Sequence, residues 1–318
     1  MQTLATCFIP RFTGSPIDLA TPFFWFDPAW HLVDVERAAI VSTALAASGI
    51  LVSALHRDLA QTDELTAVAC EPRMIPHRCD RAGLIHQDFR AASVIDLRLA
   101  LNRDAHGRFA YPPSQLRRWA NQEETPGDFS IDAMTFPPDW RSLDDMSIKV
   151  GQLRRLSSAA VFVSLDAFNL PTIWPSIAKA NIDGMILRLS GDPLATTMEA
   201  RQLIHASNGA AIQLWIATDR ELSAEDCVKC FAMGANGIAV DAMCNGFLHK
   251  NDQFEMTTAE RAARSFGYGG GVDTDQRISE TARKMASRFV ADVCGYAHSC
   301  GVDRLSSLCP THLTRVQR

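Results

Sequence analysis

Asp166, Asp192, Asp219 and Asp241 each stand within three residues of the end of a short apolar run rich in β-branched residues. If those runs are strands of one parallel sheet, the carboxylates share its C-terminal rim, and converging oxygens are what a divalent cation requires. The plainer role of an aspartate at that place is to cap the helix that follows the strand. Arg188 and Arg220 lie in the same neighbourhood and offset the negative charge only in part.

Two sets of sulfur and nitrogen groups also have the right types for chemistry. Cys227 and Cys230 have the C-x-x-C spacing of a redox or metal pair. However, Ser223 and Asp226 form a capping box that starts a helix, and Cys227, Cys230 and Phe231 then share its apolar face. Free cysteine on such a face behaves as a small hydrophobe, so structural thiols are expected. Cys70, His77, Cys79 and His86 have the types of zinc ligands, but their spacing, C-x6-H-x-C-x6-H, matches no common zinc framework. The glycine run at 267–271 follows no strand and opens no helix, which reads as a hinge rather than a nucleotide loop. No G-x-S-x-G, H-E-x-x-H or Walker sequence occurs.

The elements that would position these groups are clearest between residues 159 and 242. The runs "AAVFVSL" (159–165), "DGMILRL" (183–189), "AAIQLWIAT" (210–218) and "GIAVDA" (237–242) alternate with amphipathic helical stretches. A strand–helix repeat of roughly 25 residues implies parallel strands joined by right-handed crossovers. Continuous apolar strands imply that both faces of the sheet are covered. Earlier in the chain, "PFFWF", "GILVSA", "AGLIHQ" and "SVIDLRLAL" supply further strand candidates, about eight in all, the number of a (β/α)8 barrel. The expected fold class is therefore α/β, a (β/α)8 TIM-type barrel over 1–256 followed by a C-terminal helical extension over 257–318 that packs on the same domain. The polar stretch 102–140 reads as a long excursion between strands.

With 318 residues the chain is long enough to bury a large core, and 47% hydrophobic with 21% charged residues is ordinary for a globular protein. A net charge of −5 without a basic block argues against nucleic acid or an anionic membrane as partner. No apolar stretch is long enough to span a bilayer. Nine cysteines without a framework spacing point to reduced thiols and a cytoplasmic location.

In chain order, several segments resemble the FMN-binding catalytic domain of glutamate synthase and its stand-alone relatives. "ATPFFWFDPAWHLVDVERAAIVSTALAASGILVS" is similar to that family's opening strand and helix. "SVIDLRLALNRDAHG" stands where the family has I-E-I-K and Q-G-A-K-P-G, and "DGMILRLSGD" stands at its D-x-I-x-I-D-G-x-x-G-G-T-G-A. "LSAEDCVKCFAMGANGIAVDAM" and "VCGYAHSCGVDRLSSLCPTHL" resemble its later helix–strand and closing helix. The collinear likeness runs over about 20–313.

The departures bear on function. The glycine-rich flavin loop is replaced by "SGDPLATT", which keeps only Gly191, and the second phosphate loop by the glycine-free "IATDRELS". Backbone amides cradle a phosphate only where the chain approaches closely, which glycine permits. Ser164 stands at a lysine position, and Cys244 is the one cysteine left at the iron–sulfur segment. The resemblance with these losses implies a degenerate, non-catalytic scaffold or regulatory barrel beside an active paralogue or a second copy of itself. Neither a flavin nor an iron–sulfur cluster is expected. The alternatives are an active FMN-dependent oxidoreductase making glutamate from 2-oxoglutarate and ammonia, or a barrel taking another small ligand or divalent metal at an acidic rim. If flavin does bind, the resemblance implies Arg98 in place of a strand lysine, Ser164, Arg188, and Ser190, Gly191 and Asp192 at the loop. It puts Asp219 and Asp241 near the phosphate position. No residue is singled out as catalytic.

Overall fold

A computed structural model describes residues 5–12, 14–28, 35–53, 73–77, 89, 92–99, 142–207, 211–218, 220–249 and 272–313. Its centre is a closed barrel of parallel strands, in the order β3(Phe23–Trp25), β4(Leu51–Ser53), β5(Arg73–His77), β6(Ala92–Arg98), β7(Ala160–Asp166), β8(Gly184–Leu189), β9(Gln213–Thr218) and β10(Gly237–Ala239), with β10 pairing back onto β3. The chain is thus a (β/α)8 barrel. Neighbouring strands are sequential, as short right-handed crossovers require.

Helices α1(Val35–Ala47), α2(Met146–Leu156), α3(Leu170–Lys179), α4(Pro193–Ala206) and α5(Ala224–Ala232) surround the strands. After β10 come α6(Asp241–His249), the long α7(Val272–Ser299) and α8(Pro310–Leu313). The helix α7 packs against both α1 and α5, and α8 packs against α5. No helix among the described residues is long and apolar enough to cross a membrane.

Alternation along the strands divides the apolar residues into two cores. Val161, Val163, Leu165, Leu187 and Ile216 face outward into the shell beneath the helices. Ala160, Phe162, Ile186, Trp215 and Ala217 face inward and fill the bore with Phe24, Leu51 and Val94. Both sets are apolar at mid-strand, which is why the sequence shows unbroken apolar runs. Aromatic bulk in the bore is accommodated by small residues on the neighbouring strand. A Cβ built at Gly237 would lie 2.7 Å from the Trp215 ring, and one at Gly184 would strike Phe162.

The N-terminal end of the barrel is closed by a hairpin, β1(Cys7–Ile9) paired antiparallel with β2(Ile17–Leu19). It inserts Ile9 and Leu19 into the inner core. The buried carboxylate of Asp183 joins this hairpin to the barrel. It accepts hydrogen bonds from the Phe12 amide (2.6 Å), the Val161 amide (2.8 Å) and the Arg154 guanidinium (2.9 Å).

The observed strands differ from the expected ones at two places. The run at 237–242 is a strand only to Ala239, because Asp241 already belongs to α6. The third barrel strand is "RMIPH", Arg73–His77, a segment that shows no strand pattern and carries Pro76. The run at 82–87, the excursion at 102–140 and the glycine run at 267–271 lie outside the described residues.

Candidate functional site

The same inward alternation that fills the bore with apolar groups turns polar at the C-terminal end. Leu51 is followed on the inward face by Ser53, Val94 by Asp96 and Arg98, Phe162 by Ser164 and Asp166, and Ile186 by Arg188. Asp96 and Ser164 are fully buried, and Arg98 is 1% exposed. A polar layer therefore sits on top of an aromatic one, at the end where barrel sites are built.

Arg98 is the hub of this layer. Its Nε donates to Asp96 Oδ2 at 3.0 Å, its Nη2 donates to the Phe26 carbonyl at 2.9 Å, and its Nη1 lies 3.6 Å from Asp27 Oδ1. The guanidinium also lies over the Phe26 ring, 3.9 Å from the centroid, an arrangement that favours a planar cation. A second pair stands one strand further on. Arg188 Nε is 3.0 Å from Asp166 Oδ1, and its Nη2 donates to the Leu99 carbonyl at 3.3 Å. Each arginine is committed to a carboxylate and a main-chain oxygen.

The turn that receives Arg98 is held from the other side by α6. Asp241 Oδ1 accepts from the amides of Phe26 and Asp27, both at 2.8 Å. Trp25 Nε1 donates to Asn245 Oδ1 at 3.0 Å. Burial pushes the Asp241 carboxyl up to about 7, and the charge of Asp27 adds to the rise; the two amides and the charge of Arg98 pull the other way. The resemblance puts Asp241 near a phosphate position if flavin binds; its carboxylate is turned to the Phe26–Asp27 main chain.

The loop after β8 is simpler than a phosphate cradle. Ser190, Gly191 and Asp192 are all exposed. Gly191 has open space where a Cβ would stand, and its φ is not positive. Asp192 caps α4, accepting from the Leu194 amide at 3.0 Å. Asp219 lies outside the described residues. Arg220, just after it, is exposed and lines a cavity of about 310 Å³ together with Val240, Met243, Met285, Arg288 and Phe289. This is near the lower limit of small-molecule pockets. Arg220 and Arg288 share it with Glu221 and Asp292, and Arg288 Nε lies 3.9 Å from Asp292. The cations there have no surplus over the carboxylates.

Among the described residues, the loop after β8 does not fit the phosphate of a bound FMN. A flavin phosphate asks for closely approaching amides or uncommitted cations, and the loop after β8 provides neither. Arg98, at the position where the resemblance puts a lysine, is surrounded by Asp96 and Asp27.

The sulfur groups fall in the packing layers. Cys227, Cys230 and Cys244 are buried in the outer core. Burial raises all three thiols, Cys230 to about 12. The capping box is formed, with Ser223 accepting from the Asp226 amide at 3.1 Å and the Ser223 amide donating to Asp226 at 3.2 Å. His77 is buried at the end of β5; Cys70, Cys79 and His86 lie outside the described residues. Among the described residues no three His, Cys, Asp or Glu side chains are grouped to hold a metal ion. The carboxylates of Asp166, Asp192 and Asp241 serve an ion pair, a helix cap and a main-chain turn respectively.

Several buried polar atoms of the bore have no hydrogen-bond partner among the described residues, among them Ser53 Oγ, Asp96 Oδ1, Ser164 Oγ, Asp166 Oδ2, Arg188 Nε and Trp215 Nε1. All belong to inward-facing positions of the upper bore. Each such group costs about 1–3 kcal/mol when nothing meets it, and groups of this kind call for an explanation such as a bound water or a functional role. Sequence reasoning singled out Ser164 but not Ser53, Asp96, Asp27 or Trp215. The available signal was the alternation in "SVIDLRL", where Asp96 and Arg98 stand two apart on one strand face.

No family model matches this sequence, and no curated protein matches it. Among solved structures, the flavin-binding domain of baker's yeast flavocytochrome b2 is similar over 92% of this chain and 69% of that one, at 12% identity and a TM-score of 0.49. The YdjI aldolase from Escherichia coli K12 is similar over 85% of this chain and 89% of that one, at 9% identity and a TM-score of 0.46. Inosine 5′-monophosphate dehydrogenase from Legionella pneumophila is similar over 87% of this chain and 85% of that one, at 11% identity and a TM-score of 0.42. Likeness at this level carries no chemistry from one chain to another, because function resides in the site.

Proposed function

We propose that this chain is a glutamate-synthase-like barrel that no longer runs flavin chemistry. It acts as a non-catalytic binding or regulatory protein, through a polar site at the barrel mouth. The observation that carries this reading is the commitment of both mouth arginines: Arg98 to Asp96, Asp27 and the Phe26 carbonyl, and Arg188 to Asp166 and the Leu99 carbonyl. A cation already paired with neighbouring carboxylates has little attraction left for a phosphate or for the electron-rich edge of a reduced flavin. The exposed loop at Ser190–Asp192 supports the same reading. Its partner, on this reading, is an active paralogue or a second copy of the chain.

The test is the visible absorption spectrum of the purified protein followed by titration with FMN. The expected result is a colourless protein whose FMN affinity is no tighter than about 10⁻⁴ M. A purified protein carrying the flavin band, or submicromolar FMN binding, overturns the reading and favours the active oxidoreductase.

A further inference from the structure

We propose that the cavity between the β9–α5 loop, the start of α6 and the middle of α7 binds a small zwitterion with an apolar side chain, of the class of the aliphatic α-amino acids. The residues that line it are not those of the barrel mouth, so the inference does not rest on the flavin reading. Its basis is the pairing of an apolar floor with a rim that carries both signs of charge.

The cavity measures about 310 Å³, and Leu222, Val240, Met243 and Phe289 form its apolar floor. Val240 belongs to the outer core, and the other three are partly buried against it. Phe289 is held by an edge-to-face contact with Phe23, 5.2 Å between ring centroids. The unbranched thioether of Met243 can adapt to the outline of an alkyl group. The floor is thus an extension of the packed interior that stays open to a ligand.

The rim is polar. Arg220 and Glu221, consecutive in the chain, both line the cavity. Among the described residues neither of these two side chains has an ion-pair or hydrogen-bond partner; the one contact of Arg220 is made by its main-chain amide, to Thr218 Oγ1. On α7, Arg288 and Asp292 add a second pair, solvent-exposed and long at 3.9 Å. Two guanidinium groups stand with two carboxylates, so the rim has no net charge but offers both kinds of partner.

These groups select among ligands. A phosphate would meet Glu221 and Asp292 as well as the arginines, and a polyamine would meet Arg220 and Arg288. A hydrocarbon would fill the floor and make no use of the rim. An aliphatic amino acid carries a carboxylate, an ammonium and an apolar side chain on one carbon atom, one group for each feature of the cavity. A volume near the lower limit of small-molecule sites suits a ligand of that size. Exposed charges each attract weakly, so binding draws on all three parts together, and a dissociation constant of about 10⁻³ M is expected.

The experiment is calorimetric titration of the full chain with L-leucine and with three analogues that each lack one part. These are 4-methylpentanoate, without the ammonium, 3-methylbutylamine, without the carboxylate, and glycine, without the side chain. Saturable binding of L-leucine is expected, with each analogue at least tenfold weaker. Arg220→Gln should weaken L-leucine at least fivefold and abolish its advantage over 3-methylbutylamine. Glu221→Gln should weaken it similarly and abolish its advantage over 4-methylpentanoate. Both residues are exposed, so the urea midpoint of each variant should match the parent, and a general loss of structure would not produce these reciprocal changes in selectivity. Absence of L-leucine binding overturns the proposal. So does equal binding of any one analogue, or L-leucine affinity unchanged in either variant. FMN takes no part in these titrations, so their outcome and that of the flavin test are distinguishable.

Discussion

Replacing Arg98 by methionine removes the guanidinium that joins β6 to the Phe26–Asp27 turn. The stem is roughly isosteric, so little cavity is created, and the loss is electrostatic. Asp96 is fully buried and would keep no counter-charge; the Phe26 carbonyl would lose its 2.9 Å donor, and the ring would lose its cation. Breaking a buried ion pair by deleting one partner costs about 3–5 kcal/mol. Against a total stability of about 5–15 kcal/mol, that is a large fraction of the fold. The assay is urea unfolding followed by tryptophan fluorescence, for which Trp25 and Trp215 beside the site are reporters. Arg98→Met should lower the unfolding free energy by about 4 kcal/mol without changing the slope against urea. The double change Arg98→Met with Asp96→Leu removes both charges together, and should be less destabilising than Arg98→Met alone by at least about 1 kcal/mol. A loss below about 1 kcal/mol in Arg98→Met, or a double variant worse than the sum of the singles, would refute the view that this pair is buried and mutually dependent.

Asp241 predicts a pH dependence of opposite sign to that of an ordinary salt-bridged carboxylate. Its folded value of about 7 lies above the usual 3.8, so the folded chain holds a proton that the unfolded chain releases in between. The stability that this proton confers is complete below the usual value and is lost as pH rises through about 7. Asp241→Asn keeps the acceptor for both amides, so the difference in stability between variant and parent should change steadily across that window; a flat difference contradicts the assignment. Gly237→Ala forces a methyl to 2.7 Å from the Trp215 ring and should cost about 1–3 kcal/mol in urea unfolding. Gly191→Ala, in open space, should be neutral within about 0.5 kcal/mol, and equal effects at the two positions would contradict the packing of the bore. Cys227 and Cys230, buried and with raised thiols, should react with a thiol reagent only as fast as the helix opens. Rapid labelling of native protein at both sites would show them to be accessible.

The sequence by itself determined the barrel's later half. Strands covered on both faces must be apolar throughout, so 159–165, 183–189 and 210–218 announce themselves. A Ser223–Asp226 box starts a helix wherever it occurs, because it satisfies the first amides locally. Gly191, alone in its loop, was likewise enough to show that no glycine-rich cradle follows β8. By contrast, Arg73–His77 becomes a strand only because its neighbours in the barrel supply its hydrogen bonds; nothing local favours a proline there. The polar bore is a tertiary fact for a similar reason. Alternation in "SVIDLRL" reads as well for a solvent face as for an interior one, and closure of the barrel decides which side is inside. The clasp on Phe26 and Asp27 joins residues 72 and 215 positions apart. No local propensity encodes such a contact, because its geometry exists only after the last strand has closed onto the first.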